Sequence, residues 1–188
     1  MTQHSDGPVI TPRGATIQVR ILANPLDFIA DDHMREREVC VLIDRVASGG
    51  SVKASDRARM RAFLCEELPR HLEDEEMDLF PMMLKRCDPD EEIGKVIDKL
   101  QSDHGHALAD ASGVAALIEQ TQQRETALTK AEVHELKGFA HHARHHLTLE
   151  NAVVLPIARA RLTDGDLSEM RRNMMARRGL VAASGRKT

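Results

Sequence analysis

Residues 71–81 read HLEDEEMDLFP, and residues 146–156 read HLTLENAVVLP. Each stretch has a His and a Glu four positions apart, and a Pro ten positions after the His. Positions i and i+4 of a helix lie on one face, about one turn apart, so each stretch directs an imidazole and a carboxylate to the same point. The duplication therefore predicts two helices that present His–Glu pairs to a shared site.

The composition favours a helical core of aliphatic side chains. The chain has 188 residues, no Trp, no Tyr and only four Phe, and its length suits a single domain. A net charge of -4 gives no reason to expect nucleic acid as a partner. No apolar run approaches the ~20 residues that span a bilayer, and the first residues lack the layout of a signal peptide. Three scattered Cys are typical of reduced thiols, so we expect a cytoplasmic protein without a Cys-type zinc site.

Caps, turns and apolar stripes predict four long helices and a shorter fifth one. The predicted helices cover, in order, residues 25–48, 55–86, 90–121, 129–162 and 166–177. Asn24 caps the first helix ahead of a Pro, a Ser55-Asp56 pair caps the second, and Thr129 with Glu132 forms a capping box on the fourth. The third helix has the most regular apolar stripe.

Short loops between long helices favour an all-α, up-down-up-down four-helix bundle. The expected regions are an N-terminal arm, the bundle, and a short C-terminal helix with a tail: 1–24, 25–162 and 163–188. Within the arm, Ile17, Val19 and Ile21 alternate as in a strand. We therefore expect an extended arm that packs across the bundle or a neighbouring subunit.

A single His on each of the other two long helices lies near the height of the His–Glu pairs. Counted from the predicted turns at ~1.5 Å per residue, His33 and His104 fall within about one helical turn of those pairs. Two shared carboxylates between two ions about 3.5–4 Å apart, with imidazoles in terminal positions, would make a dinuclear metal site. Imidazole with carboxylate suits iron, and also manganese or zinc. The candidate ligands are His33, His71, Glu75, His104, His146 and Glu150, and His142 is a further candidate.

The chain resembles the hemerythrin-like, or HHE cation-binding, family over about residues 25–162. The resemblance is carried by Asp32-His33, His71-x-x-x-Glu75, Asp103-His104 and His146-x-x-x-Glu150, in this helix order. It implies a non-haem diiron centre with two bridging carboxylates, with or without an oxo or hydroxo bridge. In oxygen-carrying members of the family, O2 binds at an open position on one iron.

The sequence departs from the oxygen-carrier pattern in two helices. Carriers have a second His one turn after the first in the third helix, where this chain has Leu108 on the predicted stripe. Carriers also use His-x-x-x-x-Asp in the fourth helix, where either His146 or His145 can pair with Glu150 here. The missing ligand leaves a position that is open, or filled by water or His142. Such variants resemble sensors and peroxide- or NO-handling proteins, so we expect O2, NO or peroxide to bind or be sensed at an open iron position.

Other functions remain as alternatives. The same centre could serve a peroxidase or catalase-like enzyme, or an iron-homeostasis protein. A metal-free helical interaction module with structural histidines, in which Arg37 pairs with a buried Glu, is a third hypothesis. No protein partner is indicated by any motif.

Several charged residues are expected to face solvent. Glu36, one turn after His33, is among them, as is the acidic run 73–76 apart from Glu75. The arginines near the C-terminus are expected to form an ordinary exposed face, and they are Arg171, Arg172, Arg177 and Arg178.

Overall fold

The structure is a computed structural model that describes residues 17, 20, 21, 23–121 and 126–180. Within these residues, all regular secondary structure is helical. The bounded helices are α1 (Pro25–Ala47), α2 (54–86), α3 (Ile93–Gln120), α4 (130–161) and α5 (Asp164–Arg177), with a 3-10 turn at Pro89–Glu91. The predicted bounds of the four long helices differ from the observed ones by at most three residues.

Two of the three predicted helix starts are confirmed. The Asn24 side chain accepts a hydrogen bond from the Leu26 N–H at 2.9 Å, which caps α1. At the start of α4, the Thr129 N–H donates to Glu132 Oε2 at 2.7 Å, and the Glu132 N–H donates back to Thr129 Oγ1 at 3.3 Å. The Ser55-Asp56 cap is wrong, since α2 begins at Ala54 without a side-chain cap.

The expected extended arm is wrong at its described residues. Residues 17, 20, 21 and 23 are helical. Ile17 and Ile21 lie four positions apart, the spacing that places both on one helix face, and Ile21 is fully buried in the core. So short an apolar stretch fits the period of a strand and that of a helix equally well. The rest of the arm, part of the loop after α3 and the end of the chain lie outside the described residues: 1–16, 18–19, 22, 122–125 and 181–188.

Prolines inside α2 and α4 each follow a π-helical turn. α2 has two π turns, Phe63–Glu67 and Glu75–Leu79. They separate its three α-helical stretches, which are Ala54–Ala62, Leu68–Asp74 and Phe80–Arg86. α4 has one π turn, Glu150–Val154, between the α-helical stretches Lys130–Leu149 and Leu155–Arg161. Pro69, Pro81 and Pro156 are each the second residue after a π turn. A proline ring clashes with the carbonyl four residues earlier, and the wider i→i+5 turn gives it room.

The core consists of two apolar clusters. The first joins the N-terminal parts of α1 and α3 to the C-terminal parts of α2 and α4, and Met170, Met174 and Met175 of α5 pack into it. The second joins the opposite parts of the four long helices. Along α1, α3 and α4 the predicted ligands lie between the residues of these clusters, and along α2 Glu75 does so while His71 lies next to Leu72 of the second cluster. The fold therefore has a polar layer between two apolar ones.

Ion pairs attach α5 to the middle of α2. Asp74 is fully buried and accepts hydrogen bonds from Arg177 Nε at 2.8 Å and Arg178 Nη2 at 2.6 Å. Asp78, also buried, accepts from Asn173 Nδ2 at 2.6 Å and pairs with Arg177. The expectation of a solvent-facing position is therefore wrong for Asp74, Arg177 and Arg178. The carboxylate and the two guanidinium groups form ion pairs with one another instead.

None of the helices in the described part of the chain is long and apolar enough to cross a membrane.

Candidate metal centre

Six buried side chains from four helices meet in the polar layer. None of the six residues is more than 8% exposed. α1 contributes His33, α2 contributes His71 and Glu75, α3 contributes His104, and α4 contributes His146 and Glu150. These are the six residues that the spacing argument placed at one height.

The six residues form two groups of four that share both carboxylates. Within each group, one ligand atom per residue lies within 4.8 Å of every other. The groups are His33, His71, Glu75 and Glu150, and Glu75, His104, His146 and Glu150. Two imidazoles on each side of two shared carboxylates form a set of donors that could hold metal cations.

The two oxygens of Glu150 face opposite groups. Glu150 Oε2 lies 3.3 Å from His33 Nε2, whereas Oε1 lies 2.9 Å from His146 Nε2. Glu75 Oε1 lies 3.4 Å from His33 Nε2, whereas its Oε2 lies between the groups, 3.5 Å from His104 Nε2 and 3.6 Å from His71 Nε2. Each carboxylate can therefore reach both sides of the centre at once.

Two imidazoles face each other through their Nε2 atoms. His104 Nε2 and His146 Nε2 are 3.1 Å apart. Two nitrogens bound to one metal ion at about 2.1 Å, with an angle of about 90–110°, would be separated by about 3.0–3.4 Å. The observed separation fits neighbouring ligands of one ion.

Several buried polar atoms of the centre lack a well-directed hydrogen bond from any residue that the structure describes. Among them are His71 Nε2, Glu75 Oε2 and both carboxylate oxygens of Glu150. Burying such atoms without a partner is costly, and a carboxylate costs most. A cation would supply the missing interaction, so the donor set fits a metal ion.

Carboxylates lie behind three of the four imidazoles. Glu76 Oε1 lies 2.9 Å from His104 Nδ1, while Asp32 Oδ2 lies 3.7 Å from His71 Nδ1 and Asp103 Oδ2 lies 3.8 Å from His146 Nδ1. Carboxylates in this position orient metal-binding imidazoles and increase their basicity.

The sequence partly indicated the role of these carboxylates. Asp32 and Asp103 each precede a candidate His in a repeated Asp-His pair, but each faces the His of the following helix. Glu76 was expected to be solvated. It was missed because its partner lies on α3, and no local spacing connects the two.

A comparison with models of protein families matches residues 24–158 to the hemerythrin HHE cation binding domain. The chain belongs to this family. A comparison with curated proteins finds no match. The hemerythrin-like assignment covers all six residues of the centre, and buried His and Glu groups that fit a metal site agree with the cation binding that the family name states.

Both His–Glu pairs of this hemerythrin-like chain end at a π turn. Glu75 and Glu150 are the first residues of their π turns, with His71 and His146 one α-helical turn earlier. π turns are often found at functional sites, where they change the direction of the side chains that follow. The proline six positions after each Glu is the local reason for the π turn at that place.

Charge at the centre favours positive species. Burial opposes the charged form of Glu150, but the facing imidazoles of His104 and His146 outweigh it and hold the pKa of this carboxyl well below its usual range. Burial likewise opposes a charged His71, but Glu75 and other nearby carboxylates raise its pKa. The buried carboxylates therefore favour positive charge next to them.

Two residues near the centre are placed differently from the prediction, and a third is not among the ligands. Glu36 is buried at 5% exposure, so the expectation that it faces solvent is wrong. Leu108, expected on the buried stripe, is 44% exposed. His142 is exposed and belongs to neither group of ligand atoms. His142 therefore does not supply the additional ligand for which the sequence made it a candidate.

A pocket of ≈ 860 Å³ leads to one side of the centre. Its buried part is lined by Glu36, His104 and His146, and its exposed part includes His141 and His142. Apolar walls come from residues of α2, α3 and α4, among them Leu68, Leu72, Ala107, Phe139 and Leu149. The second group of ligands is therefore accessible to a small molecule from solvent.

Proposed function

We propose that this chain is a non-haem diiron protein that binds or senses O2, NO or peroxide at an open position of its metal pair. The observation that carries the proposal is the sharing of Glu75 and Glu150 by two groups of buried ligand atoms. An isolated buried His is usually a hydrogen-bonded core residue, but four imidazoles around two shared carboxylates are not explained in that way.

Each ion receives two imidazoles in this proposal. His33 and His71 would hold one ion, His104 and His146 would hold the other, and Glu75 and Glu150 would be available to both. The donor chemistry suits iron, manganese or zinc, and the family resemblance favours iron. When bound, a ferrous pair supplies electrons and open coordination positions for small oxygen- or nitrogen-containing molecules.

The pocket supports access of such molecules to the second ion. Apolar walls restrict water, which strengthens electrostatic interactions inside, and the protein's own role is to bind, orient and shield the ligand. The buried end of the pocket includes His104 and His146 but neither His33 nor His71. A small molecule that enters through the pocket would therefore reach the ion held by His104 and His146.

We also infer that residues 25–162 form an up-down-up-down bundle around this centre. The support comes from the apolar clusters, because each unites the N-terminal parts of two alternate helices with the C-terminal parts of the other two.

Metal analysis after anaerobic loading with Fe²⁺ tests the proposal. We expect about two irons per chain, and a loss of bound iron in His71→Ala and Glu75→Ala. His134→Ala is the matched control, since His134 is exposed on α4 and outside both groups. Addition of NO or peroxide to the ferrous protein should produce new absorption bands. A chain that takes up no metal would contradict the proposal and favour a metal-free interaction module.

Peroxide turnover is a second candidate function, and Glu36 in the pocket favours it because a carboxyl group can interact with the hydrogen of a peroxide. Repeated consumption of peroxide by the iron-loaded chain, lost in His71→Ala, would distinguish an enzyme from a sensor.

A further inference from the structure

Three exposed histidines of α4 lie at the mouth of the pocket, outside the centre. His141, His142 and His145 are exposed, and all three line the pocket of ≈ 860 Å³. None of them belongs to either group of buried ligand atoms. Neither the proposed metal pair nor the apolar core uses these imidazoles.

His141 and His145 have the spacing of a two-imidazole metal site. They lie four positions apart in the α-helical stretch Lys130–Leu149, and their ring centroids are 4.7 Å apart. Two His at positions i and i+4 of a helix can bind one ion together, as they do in the His-Glu-x-x-His motif of zinc enzymes. The ring of His142 is 6.0 Å from that of His141. The three imidazoles therefore offer nitrogen donors that suit divalent first-row transition metals.

The charges around this mouth favour a cation. Arg144 is the one Arg or Lys in residues 141–146, and its guanidinium pairs with Asp44 at 2.5 Å. Carboxylates of Glu36, Asp103 and Asp110 line the pocket, and its one lining lysine, Lys99, pairs with Asp103 at 2.9 Å. Negative charge in a cleft raises the local concentration of cations.

His142 connects the exposed pair to the centre. It follows His141 directly and lies one helical turn before His146, so the side chains of His142 and His146 lie on the same face of α4. Both line the pocket. His146 Nε2 is in turn 3.1 Å from His104 Nε2. A series of imidazoles therefore leads from solvent to the second group of ligands.

We propose that His141, His142 and His145 form an entry site, which captures a divalent transition-metal cation from solvent and passes it to the centre by ligand exchange. The cation keeps its oxidation state in this transfer. The centre is the stronger site, because its two buried carboxylates gain most from a positive charge. The inference rests on the proposed function only in that the centre takes up metal, and it is independent of which small molecule binds there.

A copper chelate tests the exposed pair separately from the centre. Cu²⁺ bound to iminodiacetate keeps positions free for two imidazoles but lacks room for the full donor set of the centre. We expect His141→Ala or His145→Ala to weaken binding of this chelate about tenfold or more, because a single imidazole loses the advantage of a linked second one. Electron paramagnetic resonance measures the bound copper.

Two further variants make this result specific to the pair. Lys137→His in the His145→Ala background places an imidazole one turn before His141 and should restore tight binding of the chelate. His134→Ala is the matched control, because His134 is exposed on the same helix and has no His four positions before or after it. Its binding should equal that of wild type.

The rate of metal uptake tests the transfer to the centre. Co²⁺ is mixed with the metal-free chain, and its visible absorption is followed over time. We expect the double variant His141→Ala/His145→Ala to load about fivefold or more slowly than wild type and His134→Ala. The amount of cobalt that remains after gel filtration should be unchanged. Removal of cobalt by a chelator should slow by the same factor, since an unchanged affinity fixes the ratio of the two rates.

The other outcomes overturn the inference in recognisable ways. Uptake by the double variant at the rate of wild type would show that the exposed pair does not supply the centre. Copper-chelate binding that survives both single substitutions would show that the pair is not a site. Less cobalt after gel filtration would make these histidines ligands of the centre itself. If wild type retains no metal, the proposed function fails and the inference fails with it, whereas normal loading at an unchanged rate leaves the function intact.

Discussion

At the scale of single residues, the centre depends on which nitrogen of each imidazole faces inward. His104 and His146 direct Nε2 toward each other, and carboxylates lie on the Nδ1 side of both. A carboxylate on that side stabilises the tautomer whose Nε2 lone pair is free for a cation. The charged residues behind the imidazoles therefore prepare the site before any ion arrives.

Removal of Glu76 should weaken metal binding without removing a proposed ligand. Glu76→Ala takes away the hydrogen-bond partner of His104 Nδ1 at 2.9 Å. We expect metal affinity to fall by about 10–100-fold, as is typical when the partner of a metal-bound imidazole is lost. Competition with a chromophoric chelator measures this change. Glu73→Ala, an exposed residue of the same acidic run, is the control. Equal affinity in the two variants would contradict the assigned role of Glu76.

At the scale of helices, α5 is attached by charge as well as by apolar packing. Its methionines enter one core cluster, and its last turn brings Arg177 and Arg178 to the buried Asp74. Asp74 immediately precedes Glu75, so the same turn of α2 contacts both α5 and the centre. Burial of an ion pair contributes little net stability, but separating its partners leaves a buried charge uncompensated.

Loss of Arg177 should therefore destabilise the chain more than loss of another arginine on α5. Arg177→Ala leaves Asp78 without its arginine partner, and Asp74 with Arg178 alone. We expect the free energy of unfolding to fall by about 2–4 kcal/mol, measured by urea denaturation. Arg172→Ala, at an exposed position of the same helix, should change it by no more than about 0.5 kcal/mol. Similar effects of the two substitutions would show that the ion pairs do not hold α5.

At the scale of the whole molecule, the polar layer separates two apolar clusters. Each of the four long helices crosses this layer, and each supplies at least one side chain to the centre. Without a cation, the layer contains buried donors and acceptors that lack partners. Metal binding should therefore stabilise all four helices together rather than one segment.

Thermal unfolding with and without metal tests this coupling. At a free metal concentration about 100 times the Kd, linkage predicts about 2.7 kcal/mol of added stability, which for a chain of this size raises Tm by about 5–10 °C. Calorimetry of the metal-free and loaded chain measures the shift, and a chelator should reverse it. His71→Ala should show a smaller rise. An unchanged Tm in wild type would place metal binding, if present, outside the core.

Sequence patterns predicted the features of this molecule that depend on spacing along one helix. His71 and Glu75 could be paired because i and i+4 share a face, and helix ends could be read from caps such as Asn24. Contacts between segments that lie far apart in the sequence could not be predicted from it. The pairing of Asp74 with Arg178 spans 104 positions, and the buried Glu36 lines a pocket with residues of three other helices. Charge alone suggests exposure for such residues, and only the assembled fold shows what surrounds them.

The π turn at Glu75–Leu79 also sets how the two ends of α2 are rotated relative to each other. If the same residues were wound as a regular α-helix instead, one end would be rotated by ~100° against the other. Either the His71–Glu75 pair or the apolar residues Phe80 and Met83 would then leave the interior. A change that straightened this turn into a regular α-helix would therefore misplace one set of side chains or the other, although it would leave every residue of the centre in the sequence.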